Sequence, residues 1–222
     1  MNKVRTVIWD CDNLMWFHKP EEPQILAMAL QIAEVEEFSI EFYKFFENFM
    51  SYFKNKKVSM KETLKLVEQE MPILGIYGIL PEQFMTVHDE IKIQLSDFND
   101  DTLILIKYLE EKSIKNIVKS DWWRDVQTGM LKHYGVMDYI EELHCCDNAY
   151  LKCNPLSAEG IVKTGSEEQY VIIGDSVTSD VAFANHAGIK SIWFKREGKH
   201  VNQTPYKPTF EVNSLLDIME IL

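Results

Sequence analysis

Two acidic residues follow a short apolar segment in the carboxyl-terminal half of the chain. Residues 171–173 are Val-Ile-Ile, which is typical of a buried strand, and the segment ends at Gly174. Asp175 and Asp180 come next, before a helical pattern. Open α/β sheets bind ligands where their parallel strands end, and carboxylate oxygens suit Mg²⁺ better than softer metals. The two acids therefore indicate a metal site, although on their own they could equally cap a turn.

A second acidic pair follows residues 4–9, which also have the pattern of a strand. Asp10 and Asp12 lie two positions apart, so both carboxylates could reach one bound phosphate. Because Asp is ionised at neutral pH, with a reference pKa of about 3.9, its attack on a phosphate dianion needs a metal ion to offset the like charges. Asp10 could attack to form an aspartyl-phosphate, and Asp12 could protonate the leaving oxygen and later activate water. The pair could also be a simple cap.

Strand and helix patterns alternate over residues 1–16 and about 98–222, and these elements would position the acids. Strands are predicted at 4–9, 114–119, 142–146, 170–173, 191–194 and 209–212. Helices are predicted at 100–112, 122–134, 154–164, 179–187 and 214–222. Such alternation predicts an α/β fold with a doubly wound parallel sheet and right-handed crossovers.

Residues 18–97 differ from the rest of the chain because they contain no convincing strand. Helical patterns are predicted near 23–37, 39–54, 60–71 and 81–95. Five phenylalanines within the second pattern have the spacing of one apolar helix face, which favours the core of a helical bundle over a binding surface. We therefore expect an all-helical insert directly after the first strand.

Four short motifs, in this order, resemble those of the haloacid dehalogenase-like (HAD) hydrolase superfamily. They are Asp10-Cys-Asp12-Asn-Leu14, Ile117-Val-Lys-Ser120, Lys152, and Gly174-Asp-Ser-Val-Thr-Ser-Asp180. Gln127 and Leu131 also lie where many relatives place them, and the last motif looks most like the pyrimidine 5′-nucleotidase branch. The resemblance implies a Rossmann-like core formed by residues 1–17 and 98–222, with residues 18–97 as an inserted helical cap.

The resemblance also implies a role for each candidate site residue. The catalytic residues would be Asp10 as nucleophile, Asp12 as general acid/base, Ser120 and Lys152. The substrate-binding residues would be Ser120, Lys152, Asp121 and Trp122. The Mg²⁺ ligands would be Asp10, Asp12 through its backbone carbonyl, Asp175 and, directly or through water, Asp180.

Two residues depart from the pattern of the superfamily. Leu14 stands where relatives usually have Thr, so one hydroxyl that helps to fix the nucleophile loop is missing. Trp122 stands where Gly is common. Its indole could narrow the approach to the phosphate, offer a face on which a base stacks, or simply pack under the cap.

The composition narrows the class of protein. The chain has 222 residues, a formal net charge of −12 and four cysteines without CxxC spacing, which favours reduced thiols. The acidic balance argues against general affinity for nucleic acid. No apolar run approaches the ~20 residues of a membrane span, and the first ten residues lack the apolar region of a signal peptide. We expect a cytoplasmic monomer or homodimer without nucleic-acid or membrane partners.

These observations predict a Mg²⁺-dependent phosphatase that hydrolyses a small phosphorylated metabolite, either a nucleoside monophosphate or a sugar phosphate, through an aspartyl-phosphate. A phosphomutase would use the same core and differ only in its products. A dehalogenase shares the fold and an Asp nucleophile but needs no Mg²⁺, so Asp12, Asp175 and Asp180 together count against it. The non-enzymatic alternative is a degenerate binding protein, which only Leu14 and Trp122 favour.

Overall fold

A computed structural model describes residues 4–19, 81–196 and 204–222, together with the single residues Glu62, Lys65 and Gln69. Six parallel strands form the main sheet: β1 (Thr6–Trp9), β4 (Lys115–Lys119), β5 (Glu142–His144), β6 (Tyr170–Gly174), β7 (Lys190–Phe194) and β8 (Phe210–Val212). Two further strands, β2 (Trp16–His18) and β3 (Ser96–Phe98), form a separate antiparallel pair. The predicted doubly wound parallel sheet is confirmed.

Five α-helices are seen in the described ranges: α1 (Pro81–Gln94), α2 (Asp100–Glu111), α3 (Arg124–His133), α4 (Ala182–Ala187) and α5 (Ile218–Ile221). A single π-helical turn, Val177–Val181, leads directly into α4, and a 3₁₀ turn, Leu215–Asp217, leads into α5. Among the residues that the structure describes, no helix has the length and apolar character that crossing a membrane requires.

Apolar side chains are buried on both faces of the sheet. Val7 and Trp9 of β1 belong to a large core that also contains Leu105 of α2, whereas Ile8 belongs to a smaller core with Phe183 of α4. Successive residues of a strand point to opposite faces, so β1 supplies both cores. This two-sided burial explains why the strands are continuous apolar runs instead of alternating patterns.

The strand order β5-β4-β1-β6-β7-β8 creates a switch point between β1 and β6. From β1 the chain builds β4 and β5 on one side, and it then builds β6, β7 and β8 on the other. Trp9, the last residue of β1, is in register with Val118 of β4 and Ile173 of β6. The carboxyl ends of the three central strands therefore lie side by side, which is where open α/β sheets bind ligands.

The helix predicted at 154–164 is wrong, since this segment forms successive turns. Ser157, Glu159 and Ile161 each donate a backbone hydrogen bond to the carbonyl three residues earlier. Gly160 has a φ of 76°, in the left-handed region that interrupts an α-helix. The turn-forming preference of this glycine overrides the apolar spacing on which the prediction depended.

The insert is described in part. The helix predicted at 81–95 is confirmed as α1, and Glu62, Lys65 and Gln69 are helical. The helices predicted at 23–37 and 39–54 lie outside the described residues. The expectation that 18–97 contains no strand is wrong at both ends of this range. There β2 pairs with β3, and His18 lies opposite Ser96. The pairing places the entry to the insert beside its exit.

Candidate active site

Three of the predicted site residues directly follow central strands of the sheet. Asp10 follows β1, Ser120 follows β4 and Asp175 follows β6. Since these strands are parallel neighbours, the three side chains emerge at one edge. Lys152 reaches the same edge from the turns between β5 and β6, and Asp180 reaches it from the π-helical turn after β6.

The Asp10 carboxylate is buried and held in a fixed orientation. Its backbone N–H donates to Ile173 O at 2.9 Å, which joins the end of β1 to β6. Its Oδ1 accepts a hydrogen bond from the Cys11 backbone N–H at 2.8 Å. The Lys152 ammonium Nζ lies 2.6 Å from the same oxygen. A carboxylate held in this way is presented to the ligand crevice with one oxygen already bound.

Asp10, Asp175 and Asp180 form a cluster of three buried carboxylates, each with one oxygen that lies within 4.8 Å of the others. Lys152 Nζ lies 2.5 Å from Asp180 Oδ1, so one ammonium group contacts two members of the cluster. The backbone carbonyl of Asp175 accepts a hydrogen bond from Trp193 Nε1 at 3.0 Å. Closely spaced carboxylate oxygens are the donor set that hard divalent cations prefer.

The π-helical turn brings Asp180 back over the end of β6. Asp180 N–H donates to Ser176 O at 2.8 Å, and Val181 N–H donates to the same carbonyl at 3.2 Å. Asp180 Oδ2 in turn accepts a hydrogen bond from Ser176 N–H at 2.9 Å. A single π turn commonly marks a functional site, because it rotates one side chain out of the helical register.

The carboxylates of the cluster raise one another's affinity for protons. Burial, followed by the charge of Asp180, raises the pKa of Asp10 to about 8, and Lys152 only partly offsets this rise. Burial and the charge of Asp175 likewise raise the pKa of Asp180. Burial alone would lower the pKa of Lys152, but Asp10 and Asp180 hold it well above its ordinary value. The cluster therefore has a charge excess that a bound cation would relieve.

Asp12 has surroundings quite unlike those of Asp10. Its Oδ1 accepts hydrogen bonds from Trp16 Nε1 at 3.1 Å and from His18 Nε2 at 2.9 Å, and it lies 3.3 Å from Lys92 Nζ. Burial would raise the pKa of Asp12, but the charge of Lys92 and the hydrogen bonds from His18 and Trp16 together hold it far below its usual range. Asp12 is therefore ionised at neutral pH.

Gln127 connects Asp12 to the end of β4. Its Nε2 donates to Asp12 Oδ2 at 2.8 Å and to Ser120 Oγ at 3.0 Å. Ser120 Oγ also accepts a hydrogen bond from the Trp122 backbone N–H at 3.1 Å. With two donors directed at its oxygen, the Ser120 hydroxyl is left with its own proton to donate to a ligand.

Both oxygens of Asp121 are used within the protein. Oδ1 accepts a hydrogen bond from Lys152 N–H at 2.7 Å, and Oδ2 accepts one from Ser179 Oγ at 2.9 Å. Lys119 Nζ, which is fully buried, lies 3.6 Å from Asp121 Oδ1. Asp121 thus ties the Lys152 loop to the turn that carries Asp180.

The Trp122 indole packs under α1. Lys92 Nζ lies 4.3 Å from the centroid of the indole, the Trp123 ring lies 4.5 Å away, and the His88 ring lies 5.8 Å away. A base could stack on the face that Lys92 covers only by displacing the ammonium group. Of the three interpretations of Trp122, packing under the insert fits these contacts best.

Four residues near the site carry no site role in the sequence predictions: His18, Lys92, Lys119 and Arg196. Arg196 Nη1 lies 3.8 Å from Asp175 Oδ2, and its guanidinium lies 5.4 Å from the Phe17 ring. Lys92 and His88 are four residues apart on α1 and therefore share one helix face. The four-residue spacing therefore predicts that Lys92 and His88 lie on one face of α1, but it does not predict that this face contacts Asp12.

Comparison with known proteins agrees with this geometry. The family described as HAD-hydrolase-like matches residues 149–218, which include Lys152, Asp175 and Asp180. Pyrimidine 5′-nucleotidase PynA of Streptococcus pneumoniae is 33% identical over 101 residues, which are 44% of this chain and 42% of that protein. The chain thus matches less than half the length of this relative.

The whole described fold also has counterparts among solved structures. The HAD hydrolase YfnB from Bacillus subtilis, solved bound to magnesium, has a TM-score of 0.69 at 16% identity and covers 99% of both chains. At this identity the likeness shows that the chain has the HAD fold. A 2-haloacid dehalogenase from Pseudomonas syringae has a TM-score of 0.67 at 18% identity, covering 98% of this chain and 97% of that one. The HAD fold therefore accommodates more than one chemistry, and the side chains must decide between them.

Proposed function

We propose that this protein is a phosphatase of the HAD superfamily that depends on Mg²⁺ and hydrolyses a small phosphorylated metabolite through an aspartyl-phosphate on Asp10. The observation that carries the proposal is the Lys152 ammonium, 2.6 Å from Asp10 Oδ1 and 2.5 Å from Asp180 Oδ1. A lysine beside a carboxylate nucleophile supplies the positive charge that a transferring phosphoryl group requires. Similarity to a pyrimidine 5′-nucleotidase supports a nucleoside monophosphate as substrate, and a sugar phosphate is the second class.

Asp10 is the nucleophile in this proposal. A carboxylate oxygen attacks phosphorus, the bond to the leaving oxygen breaks, and an acyl-phosphate forms on Asp10. Ser120 and Lys152 bind the phosphoryl oxygens, since one offers a hydroxyl proton and the other an ammonium group. Asp121 holds the Lys152 backbone, so we assign it a positioning role.

Asp12 is the general acid/base. It lies within hydrogen-bond reach of Gln127, whose other contact is Ser120 Oγ, so its carboxylate borders the phosphate site. Its low pKa leaves it ionised and able to accept a proton from the water that hydrolyses the aspartyl-phosphate. An arriving phosphate dianion raises the proton affinity of a nearby carboxylate, which allows Asp12 to act as the acid in the first step.

The residues present fit a magnesium ion. Asp10 and Asp175 would hold it with the backbone carbonyl of Asp12, and Asp180 would be a direct or water-mediated ligand. These are hard oxygen donors, and burial followed by the charge of Asp180 raises the pKa of Asp10, an effect that a bound cation would oppose. When bound, the ion would reduce the repulsion between the Asp10 carboxylate and the phosphate.

We propose residues 18–97 as a helical cap on the core formed by residues 1–17 and 98–222. The antiparallel pair β2–β3 brings the two connections of this segment together, and α1 reaches the site through Lys92. A segment hinged at two adjacent strands can close over the phosphate and exclude competing water.

Dehalogenation is the less well supported chemistry on this fold. A dehalogenase requires an Asp nucleophile but no cluster of acids, whereas Asp175 and Asp180 are buried against Asp10. Burying three carboxylates together is costly unless a cation compensates them. Their retention supports phosphate chemistry with a metal.

The direct test is a phosphate-release screen across nucleoside monophosphates and sugar phosphates, with Mg²⁺ and with excess chelator. We expect release with Mg²⁺, reversible loss in chelator, and no turnover by Asp10→Asn once deamidation has been excluded by mass. Asp125→Asn, which removes an exposed carboxylate on α3, is the matched control and should retain full activity. Full phosphate release in excess chelator would contradict the Mg²⁺ requirement, whereas halide release from a 2-haloacid without any phosphate release would support dehalogenase chemistry.

A further inference from the structure

The two oxygens of the Asp12 carboxylate differ in how many donors they accept. Oδ1 has three neighbours, Trp16 Nε1, His18 Nε2 and Lys92 Nζ, all within 3.3 Å. Oδ2 accepts one hydrogen bond from within the described ranges, from Gln127. Because a carboxylate oxygen offers about two lone-pair positions, Oδ1 is saturated while Oδ2 retains a free one. The two oxygens are therefore not interchangeable in a reaction.

The donors on Oδ1 come from the two connections of the inserted segment. Trp16 and His18 lie on β2, by which the chain leaves the core, and Lys92 lies on α1, just before it returns. The side chain of Lys92 is only 3% exposed, so solvent does not screen its contact with Asp12 as it would a surface pair. The orientation of Asp12 thus depends on where the inserted segment sits.

Trp122 holds Lys92 from the other side. The ammonium lies 4.3 Å from the indole centroid, which is within the range of a cation–π contact. Trp122 Nε1 is buried, and it has no hydrogen-bond partner among the parts of the chain that are described. The indole therefore contributes its aromatic face to this site and not its N–H group.

We propose that Lys92 is a positioning residue that anchors Oδ1 of Asp12, so that Oδ2 is the oxygen that transfers protons. In the first step Asp10 bonds to phosphorus, the bond to the leaving oxygen breaks, and that oxygen takes its electron pair and the proton of Asp12 Oδ2. In the second, water gives a proton to Oδ2 as its oxygen bonds to phosphorus, which releases phosphate and the Asp10 carboxylate. The inference rests on the proposed phosphatase function.

Leaving-group dependence separates this role from a merely structural one. An alkoxide leaves poorly and needs a proton from Asp12, whereas p-nitrophenolate leaves well without one. We expect Lys92→Met to slow release of the glycerol leaving group from β-glycerophosphate in a single turnover by about tenfold or more, a part of the roughly 10²–10⁴-fold that acid–base catalysis contributes. Release of the p-nitrophenol leaving group from p-nitrophenyl phosphate in the same assay should fall much less, and Lys92→Arg should restore most of the loss.

Substitutions at Lys19 and Trp122 serve as controls for this test. Lys19→Met is the matched control. Lys19 lies just after β2 and pairs with Asp97 of β3 at 3.1 Å, but both side chains are exposed. Its loss should therefore change the hydrolysis rate of neither ester. Trp122→Leu should slow the glycerol ester selectively, whereas Trp122→Phe, which keeps an aromatic face, should do so less. Equal slowing of both esters by Lys92→Met, or no advantage of Arg over Met, would overturn the positioning role. A wild-type protein that releases phosphate from neither ester, and from no nucleoside monophosphate or sugar phosphate in the screen, would overturn the phosphatase proposal itself.

Discussion

The carboxyl group of Asp180 lies directly against the backbone of Gly174, so that a Cβ atom at position 174 would overlap it. No side chain larger than hydrogen is compatible with this approach. Gly174 is the last residue of β6, and Asp180 returns to it through the π-helical turn. The strand end and the acid are thus positioned as one unit, and the glycine makes room for the proposed metal ligand.

Gly174→Ala should displace Asp180 and weaken metal binding. Overpacking of this kind costs about 1–3 kcal/mol in stability, so the variant should fold with a lowered melting temperature. Metal titration by calorimetry should show an affinity lower by about tenfold or more, comparable to loss of a supporting group at a metal site.

Gly129→Ala is the matched control for this substitution. It lies within α3, where a Cβ atom would be 3.7 Å from Ile93 Cδ1, an ordinary contact. Ala is favoured over Gly in a helix by about 0.5–1 kcal/mol, so stability should rise slightly and metal affinity should not change. A Gly174→Ala protein that binds metal as tightly as the wild type would contradict the role of this close approach.

Metal binding should become tighter as pH rises towards 8. The pKa of Asp10 is raised to about 8 in the metal-free protein, so below that pH the carboxyl holds a proton that the metal must displace. Between about pH 6 and about pH 8 the affinity should rise by up to tenfold per unit, and binding should release protons.

Calorimetry in two buffers with different ionisation enthalpies measures that proton release directly. Above the pKa of Asp10 the carboxylate is already ionised, so the dependence should flatten. An affinity that is independent of pH across this window would show that Asp10 is not a ligand or that its pKa is not raised.

Much of the site follows from strand ends that the sequence makes visible. Asp10 and Ser120 come directly after a predicted apolar strand and Asp175 comes one residue later, after Gly174, and parallel strands bring their ends to one edge. Lys152 lies among turns between β5 and β6, where no periodic pattern fixes a direction. Its place beside Asp10 therefore depends on tertiary packing, and in the sequence only the resemblance to the superfamily motif predicted it.

The contacts of Asp12 could not be read from the pattern of residues. Lys92 is 80 positions away in the chain, and its contact with Asp12 depends on how the insert packs on the core. His18 lies in a segment without strand signals, and β2 forms because β3 pairs with it. Both contacts require knowledge of side-chain direction across an inserted segment, which local propensity does not supply.

The cysteines should differ sharply in reactivity. Burial raises the pKa of Cys145 to about 12 and also raises the pKa values of Cys11 and Cys146, whereas Cys153 is exposed. Because the thiolate is the reactive form, iodoacetamide should label Cys153 alone in the native protein. Peptide mass mapping would show this, and early labelling of Cys145 would contradict its burial.

Trapping the covalent intermediate tests the central claim most directly. Asp12→Ala should still form the aspartyl-phosphate from p-nitrophenyl phosphate, because that leaving group needs no proton, but hydrolysis of the intermediate should be slow. After an acid quench, peptide mass analysis should find one added phosphoryl group on Asp10, and none in the Asp10→Asn, Asp12→Ala double variant. Phosphate release without any phosphoryl group on Asp10, or a phosphoryl group on another residue, would contradict the account.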